Sequence, residues 1–200
     1  MRCLYCDKQI SAYTFRSLLL KEDLLCPECR KQLKVKRRII DMGDFEVETF
    51  FEYDGLYKSL LLQYKECGDE ALRDVFLYDI KEYLELKYRG YVLQCIPSSR
   101  QKRQERGFDH LPGMFRLVQM KQIDALKMKE DFTQEGRNFS ERQAMIGNFD
   151  YIGGDYKAIL IADDVITTGS TLKGAYFSTF GHCEKIKVVA LAYKNNAIHY

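Results

Sequence analysis

From residue 159 to residue 171 the chain reads ILIADDVITTGST, and few folds accommodate that order of residues. Ile159, Leu160 and Ile161 form a short apolar run of the kind a strand buried on both faces needs. Such a strand delivers its last residues to the carboxyl edge of a sheet, where ligands of open α/β folds bind. The turn that follows, 165–171, runs through Val165, Thr167, Thr168, Gly169, Ser170 and Thr171. Its backbone N–H groups and hydroxyls can meet an anion, with the start of a helix behind them. Asp163 and Asp164 stand beside that anion site as acceptors for hydroxyl donors. An ordinary strand, turn and capped helix would account for the hydroxyls, but not for two acids ahead of them. A phosphate cradle next to paired diol acceptors describes a ribose 5-phosphate site.

The other end of the chain carries a second pattern. Cys3-Leu4-Tyr5-Cys6 and Cys26-Pro27-Glu28-Cys29 are two C-x-x-C pairs with a spacer close to that of a four-thiolate zinc site. Two such knuckles, Cys3 with Cys6 and Cys26 with Cys29, close a tetrahedral shell and leave no open position, so the expected Zn²⁺ is structural. Two disulfides or one redox pair are the alternatives. The chain shows no secretory signal and no transmembrane stretch, which favours a reducing, cytoplasmic setting and no membrane insertion. A redox pair would not need a twin. Cys67, Cys95 and Cys183 lie outside the pattern and read as small core residues.

A net charge of +2 over 200 residues does not by itself imply nucleic-acid binding. The distribution says more. Arg30, Lys31, Lys34, Lys36, Arg37 and Arg38 follow the second knuckle within nine residues, and a second basic stretch, RQKRQER, spans 100–106. Finger and basic tail can together form an electropositive surface for a nucleic acid; a solvated linker or helix face is the equal alternative.

Between these ends strands and helices alternate. The runs at 47–53, 91–96 and 187–193 read as strands. Helical spacing marks 56–64, a longer helix over 72–84 stopped near Gly90, another over 111–122, and one after the phosphate turn over 171–180, stopped by Gly181. Strand–helix–strand order at these lengths implies right-handed parallel crossovers and a doubly wound, mainly parallel α/β sheet. The expected division is a zinc finger with basic tail over 1–40 and the sheet domain over 41–200.

Asp163-Asp164-Val165-Ile166-Thr167-Thr168-Gly169-Ser170-Thr171 resembles the phosphoribosyl pyrophosphate signature of type I phosphoribosyltransferases. Two further segments resemble one branch of that fold, the ComF family: Ile96-Pro97-Ser98-Ser99 with Arg103 and Arg106-Gly107-Phe108-Asp109-His110, and Leu62-Gln63-Tyr64-Lys65-Glu66-Cys67-Gly68-Asp69. With the paired cysteines ahead and the phosphate motif behind, the resemblance runs in order along nearly the whole chain. Ser98-Ser99 and Asp109 depart from the family pattern. The segment 133–149 resembles a family element loosely. It reads either as a covering loop that brings Arg137 or Arg142 to pyrophosphate, or as a polar surface loop.

The resemblance implies that phosphoribosyl pyrophosphate is bound as its Mg²⁺ complex. The 5-phosphate would lie at Thr167–Thr171, the ribose hydroxyls on Asp163 and Asp164, and the pyrophosphate on the backbone around Pro97, Ser98 and Ser99 with Arg103 or Arg106. No residue stands out as a nucleophile or general base, so the chemistry would rest on positioning and electrostatics. The acceptor is not legible; the hood expected over it comprises parts of 46–65 and 195–200. The family also implies a role in natural competence, in the cytosolic handling of incoming single-stranded DNA. Three functions therefore stand side by side: a phosphoribosyltransferase, a single-stranded DNA-binding factor, and a ligand-sensing adaptor for a helicase or other uptake protein.

Overall fold

The computed structural model of the chain describes residues 2–10, 24–129 and 149–195. Its main sheet has six strands among the described residues: β1 (Arg38–Asp41), β2 (Glu46–Glu52), β3 (Val92–Cys95) and β4 (Gln122–Ile123), then, after a separate antiparallel pair of β5 (Leu126–Met128) and β6 (Phe149–Tyr151), β7 (Tyr156–Ile166) and β8 (Cys183–Tyr193). The order across the sheet is β1-β2-β8-β7-β3-β4, parallel throughout except where β1 runs against β2.

Successive residues of a strand point to opposite faces. In β7 the residues 158–162 are all buried, and in β8 the residues 188–193. Both faces of the sheet are therefore covered, which is why these strands read as unbroken apolar runs rather than as alternations. The fold is the expected α/β arrangement on a mainly parallel sheet, with a cysteine cluster at its N-terminal end.

Six α-helices among the described residues flank the strands: α1 (Pro27–Gln32), α2 (Gly55–Glu66), α3 (Lys81–Lys87), α4 (Arg100–Arg106), α5 (His110–Phe115) and α6 (Ser170–Thr179). Helix α2 buries Leu56, Tyr57, Leu60, Leu61 and Tyr64, a single stripe at helical spacing. Its Tyr64 hydroxyl donates to the carbonyl of His110 at 2.9 Å, pinning α2 to α5. Gly113 permits that approach, because a Cβ there would lie 2.8 Å from the same hydroxyl.

Several elements differ from the sequence expectation. The single helix over 72–84 is instead a 3-10 helix (Glu70–Phe76), started by the Asp69 side chain accepting from the N–H of Ala71, and then the short α3. Leu72, Val75, Phe76, Ile80 and Leu84 are still buried, which is why a helical stripe and this broken path look alike in the sequence. The helix over 111–122 begins at His110 and stops at Phe115, and its expected last residue, Gln122, instead opens β4. Cys67 is exposed just past α2 rather than in the core, whereas Cys95 is buried and Cys183 half-buried. The end of the basic tail is a strand, β1, so Arg38 belongs to the sheet.

One buried carboxylate ties that tail to the sheet. Glu48 on β2 is 4% exposed, yet it accepts from Tyr83 at 2.7 Å, from Lys87 at 2.8 Å, and from Tyr88 and Arg37. Burial works against its charge, but these donors outweigh it and hold the carboxyl down at about 2.

Candidate functional site

Chain direction across the sheet sets the site. After β3 the chain moves outward to β4; after β7 it moves the other way, to β8. The loops that leave β3 and β7 thus diverge, and in open α/β sheets such a divergence opens a binding crevice at the carboxyl edge. The pairing of β3 with β7 ends at Cys95 opposite Ala162. Beyond it the pairing of β7 with β8 continues to Ile166 opposite Tyr193. Asp163 and Asp164 are the first residues of β7 past the point where β3 turns away.

The strand runs further than expected, since Val165 and Ile166 pair with β8 instead of opening the turn. The turn itself is Thr167, Thr168 and Gly169, and α6 starts at Ser170, one residue before the expected Thr171. Gly169 has φ +72°, a conformation that favours glycine in this tight turn, and its Cα faces the Met42 side chain. The Thr168 and Ser170 hydroxyls are 3.1 Å apart at the exposed mouth of the turn. On its other side, toward β1, lies a cleft of about 380 Å³ lined by Arg38, Ile39, Met42, Thr167 and Tyr193, among others.

The two acids are not alike. Asp163 is half-buried and uses one oxygen to accept the N–H of Asp164 at 2.9 Å. Burial, and then the neighbouring Asp164 charge, push its carboxyl up to about 8. Asp164 is buried, and its Oδ2 accepts from His110 Nε2 at 2.9 Å and from Lys65 Nζ at 2.5 Å. Burial works against its charge as well, but the His110 hydrogen bond and the Lys65 charge outweigh it and hold this carboxyl well below the usual range. Sequence reasoning missed Lys65 and His110 as site residues, although both lie in the quoted resemblances.

The loop after β3 faces these acids from the opposite bank. Ser98 donates to Asp109 at 3.2 Å and lies 3.3 Å from His110 Nδ1. Ser99 caps α4 by accepting the N–H of Lys102 at 3.3 Å. Helix α4 is polar on every side, held at one end by that cap and at the other by Gly107 in the left-handed conformation. It brings Arg106 to His110 Nδ1 at 3.2 Å and to Glu66 at 3.5 Å, while Arg103 lies 4.0 Å from Asp109. Pro97, Ser98 and Ser99 are all half-buried at the start of this loop. Arg137 and Arg142 lie outside the described residues, as does the hood segment beyond residue 195.

At the N-terminal end the sulfur atoms of Cys3, Cys6, Cys26 and Cys29 lie within 4.8 Å of one another. Zinc–sulfur bonds of about 2.3 Å in a tetrahedron put sulfurs about 3.8 Å apart, and Cys6 and Cys26 are at 3.6 Å. Each pair sits on a knuckle, with the N–H of Asp7 returning to the Cys3 carbonyl and that of Arg30 to the Cys26 carbonyl. Burial works against a Cys3 thiolate, yet backbone N–H groups from Cys6 and Cys26 hold it down at about 6. Burial and the other thiols push Cys29 up. Four sulfurs at this spacing, in part stabilised as thiolate, fit a structural Zn²⁺.

The basic tail is largely spoken for within the molecule. Arg30 pairs with Asp79 at 2.7 Å and lies over the Tyr78 ring, Lys36 pairs with Glu52, and Arg37 with Glu48. Arg38 stacks over Tyr193 at 4.7 Å. Lys31 and Lys34 are exposed. No helix among the described residues is long and apolar enough to cross a membrane.

A crevice at the strand divergence, an acid pair and a Thr-Gly-Ser turn thus lie together at one edge of the sheet. The comparisons bear the ComF resemblance out. The chain is 29% identical over 199 residues to the competence protein ComFC of Streptococcus pneumoniae (strain ATCC BAA-255 / R6), covering 86% of this chain and 90% of that one. It is 27% identical over 203 residues to ComFC of Bacillus subtilis (strain 168), covering 85% of each. Among solved structures it is similar to a hypoxanthine phosphoribosyltransferase from Staphylococcus aureus in two crystal forms. The tetragonal form is 17% identical with a TM-score of 0.35 and the orthorhombic form 16% with 0.36; each match covers 64% of this chain and 66% of that one, just under two thirds of its length. No protein-family profile matches the sequence.

Proposed function

We propose that the chain serves natural competence through a phosphoribosyl pyrophosphate site at the β3–β7 crevice, and that this site transfers phosphoribose to an acceptor. The observation that carries the reading is the position of Asp163 and Asp164 where β3 turns away from β7, with an anion-ready turn one side and Ser98 and Arg106 the other. The competence role is drawn from the two ComFC relatives, whose full lengths the chain nearly matches.

In this reading Thr167, Thr168, Gly169, Ser170 and Thr171 hold the 5-phosphate on backbone N–H groups and hydroxyls at the start of α6. Asp163 and Asp164 accept from the ribose hydroxyls, and Ser98 and Arg106 take the pyrophosphate. As the bond to pyrophosphate breaks, positive charge develops on the ribose beside two carboxylates, where it is stabilised electrostatically. Mg²⁺, which favours phosphate oxygens and retained waters, would enter with the ligand and neutralise the leaving pyrophosphate. Asp163 is the acid with capacity to face it, because Asp164 already accepts from Lys65 and His110.

The test is genetic and quantitative. In a competent host whose only copy carries Asp163→Asn and Asp164→Asn, transformation frequency should fall as far as in a deletion strain, with protein abundance and zinc content unchanged. Transformation at the wild-type level would contradict the role given to this site.

A further inference from the structure

His110 touches both banks of the crevice, and the chemistry above gives it no role of its own. Its side chain is nearly enclosed, the residue being 5% exposed. Nε2 lies 2.9 Å from Asp164 Oδ2; Nδ1 lies 3.2 Å from an Arg106 guanidinium nitrogen and 3.3 Å from the Ser98 hydroxyl. A carboxylate only accepts and a guanidinium only donates, so Nε2 carries the proton and Nδ1 accepts. The ring is thereby a hydrogen-bonded bridge from the pyrophosphate side, Ser98 and Arg106, to the ribose side, Asp164. Its backbone is anchored too, through the Tyr64 hydroxyl on its carbonyl.

We infer that His110 is a positioning residue that couples the two subsites, so that pyrophosphate at Ser98 and Arg106 raises the affinity of the acid pair for a ribose diol. This rests on the phosphoribosyl pyrophosphate reading and goes beyond it. A polyanion at Ser98 and Arg106 draws the Arg106 guanidinium away from Nδ1. The imidazole then loses a contact that fixes its orientation, and its hold on Asp164 Oδ2 loosens. That oxygen, which otherwise accepts from His110 and Lys65 together, becomes available to a ribose hydroxyl. Linkage makes the effect reciprocal: ribose on Asp164 must raise the affinity for pyrophosphate by the same factor. The two halves of the intact ligand therefore reinforce one another, whereas ribose 5-phosphate alone meets a site still closed at Asp164.

The experiment uses the zinc-loaded full chain and two probes, ribose 5-phosphate and magnesium pyrophosphate, each titrated calorimetrically with and without the other at saturation. In the wild type the second probe should bind about tenfold more tightly in the presence of the first, within the usual span of coupling between sites. His110→Phe keeps a ring of similar size but forms neither hydrogen bond; with the His110 bond to Asp164 Oδ2 gone, ribose 5-phosphate alone should bind more tightly than to the wild type, and the coupling should vanish. His110→Gln, whose amide can donate to Asp164 and accept from Arg106, should restore most of it. A shorter His110→Asn, unable to span both partners, serves if the Phe variant does not fold, and should lose the coupling as well. Coupling retained in His110→Phe or His110→Asn overturns the inference, as does independent binding of the two probes in the wild type. Failure of the wild type to bind either probe overturns the phosphoribosyl pyrophosphate reading, and the inference with it.

Discussion

Asp163 and Asp164 are neighbours in sequence with opposite environments, and the difference has consequences for pH. Asp163 carries a carboxyl pushed up to about 8 by burial and by the charge of Asp164. A ligand that brings Mg²⁺ or ribose hydroxyls favours the ionised form. Affinity for magnesium phosphoribosyl pyrophosphate should therefore rise from pH 6.5 to pH 8.5 as Asp163 loses its proton, and Asp163→Asn should flatten that rise. The sign for stability is the reverse. A carboxyl whose folded value lies above its unfolded value of 3.8 makes the ligand-free fold less stable as pH climbs between the two. Asp163→Asn should accordingly raise the melting temperature of the free protein at pH 8 while it weakens ligand binding, the pattern of a residue kept for function at some cost in stability. A lower melting temperature together with unchanged affinity would mean that Asp163 is structural. The partners of Asp164 are a different lesson at this scale. Lys65 and His110 stand 99 and 54 residues from it in the chain, so no local spacing announces them; only the docking of α2 and α5 against β7 does.

Elements were legible where local chemistry and burial agree. The runs in β2, β7 and β8 were plain because both faces are buried, and α6 because glycine, turn hydroxyls and helix follow each other directly. The strand β1 was hidden because its residues, RIID, continue a basic run, and α4 because a helix with no buried residue has no apolar stripe to read. The finger is the element whose stability depends most on something outside the chain. Its knuckles have few apolar residues, with Leu25 and Leu33 buried beside the cysteines, so the metal should supply most of its folding free energy. Protein purified under reducing conditions should hold about one Zn²⁺ per chain. Cys26→Ser should lose it, with a fall in thermal stability but with the sheet's circular dichroism largely kept, since the finger meets the sheet domain through contacts such as Arg30 with Asp79. Zinc-free wild-type protein with an intact fold would overturn the metal assignment.

For the whole molecule, the direction in which the chain leaves each strand places the two motifs. The parting of β3 from β7 sets the acid pair against Ser98 and Arg106, residues some sixty positions away in sequence. The order of the strands, which creates that parting, depends on long-range pairing and could be expected from the sequence only as a class of fold. The cleft beside the Thr167–Gly169 turn belongs to the same scale, because its lining comes from β1, the turn and the end of β8, far apart in the chain. The most direct test of the account is a calorimetric titration of phosphoribosyl pyrophosphate with Mg²⁺ into zinc-loaded protein, wild type against the variant carrying Asp163→Asn and Asp164→Asn. The account predicts saturable micromolar binding, about 8 kcal/mol, with one ligand per chain, abolished in the double variant. No heat from folded wild-type protein, or equal binding by the variant, would contradict it.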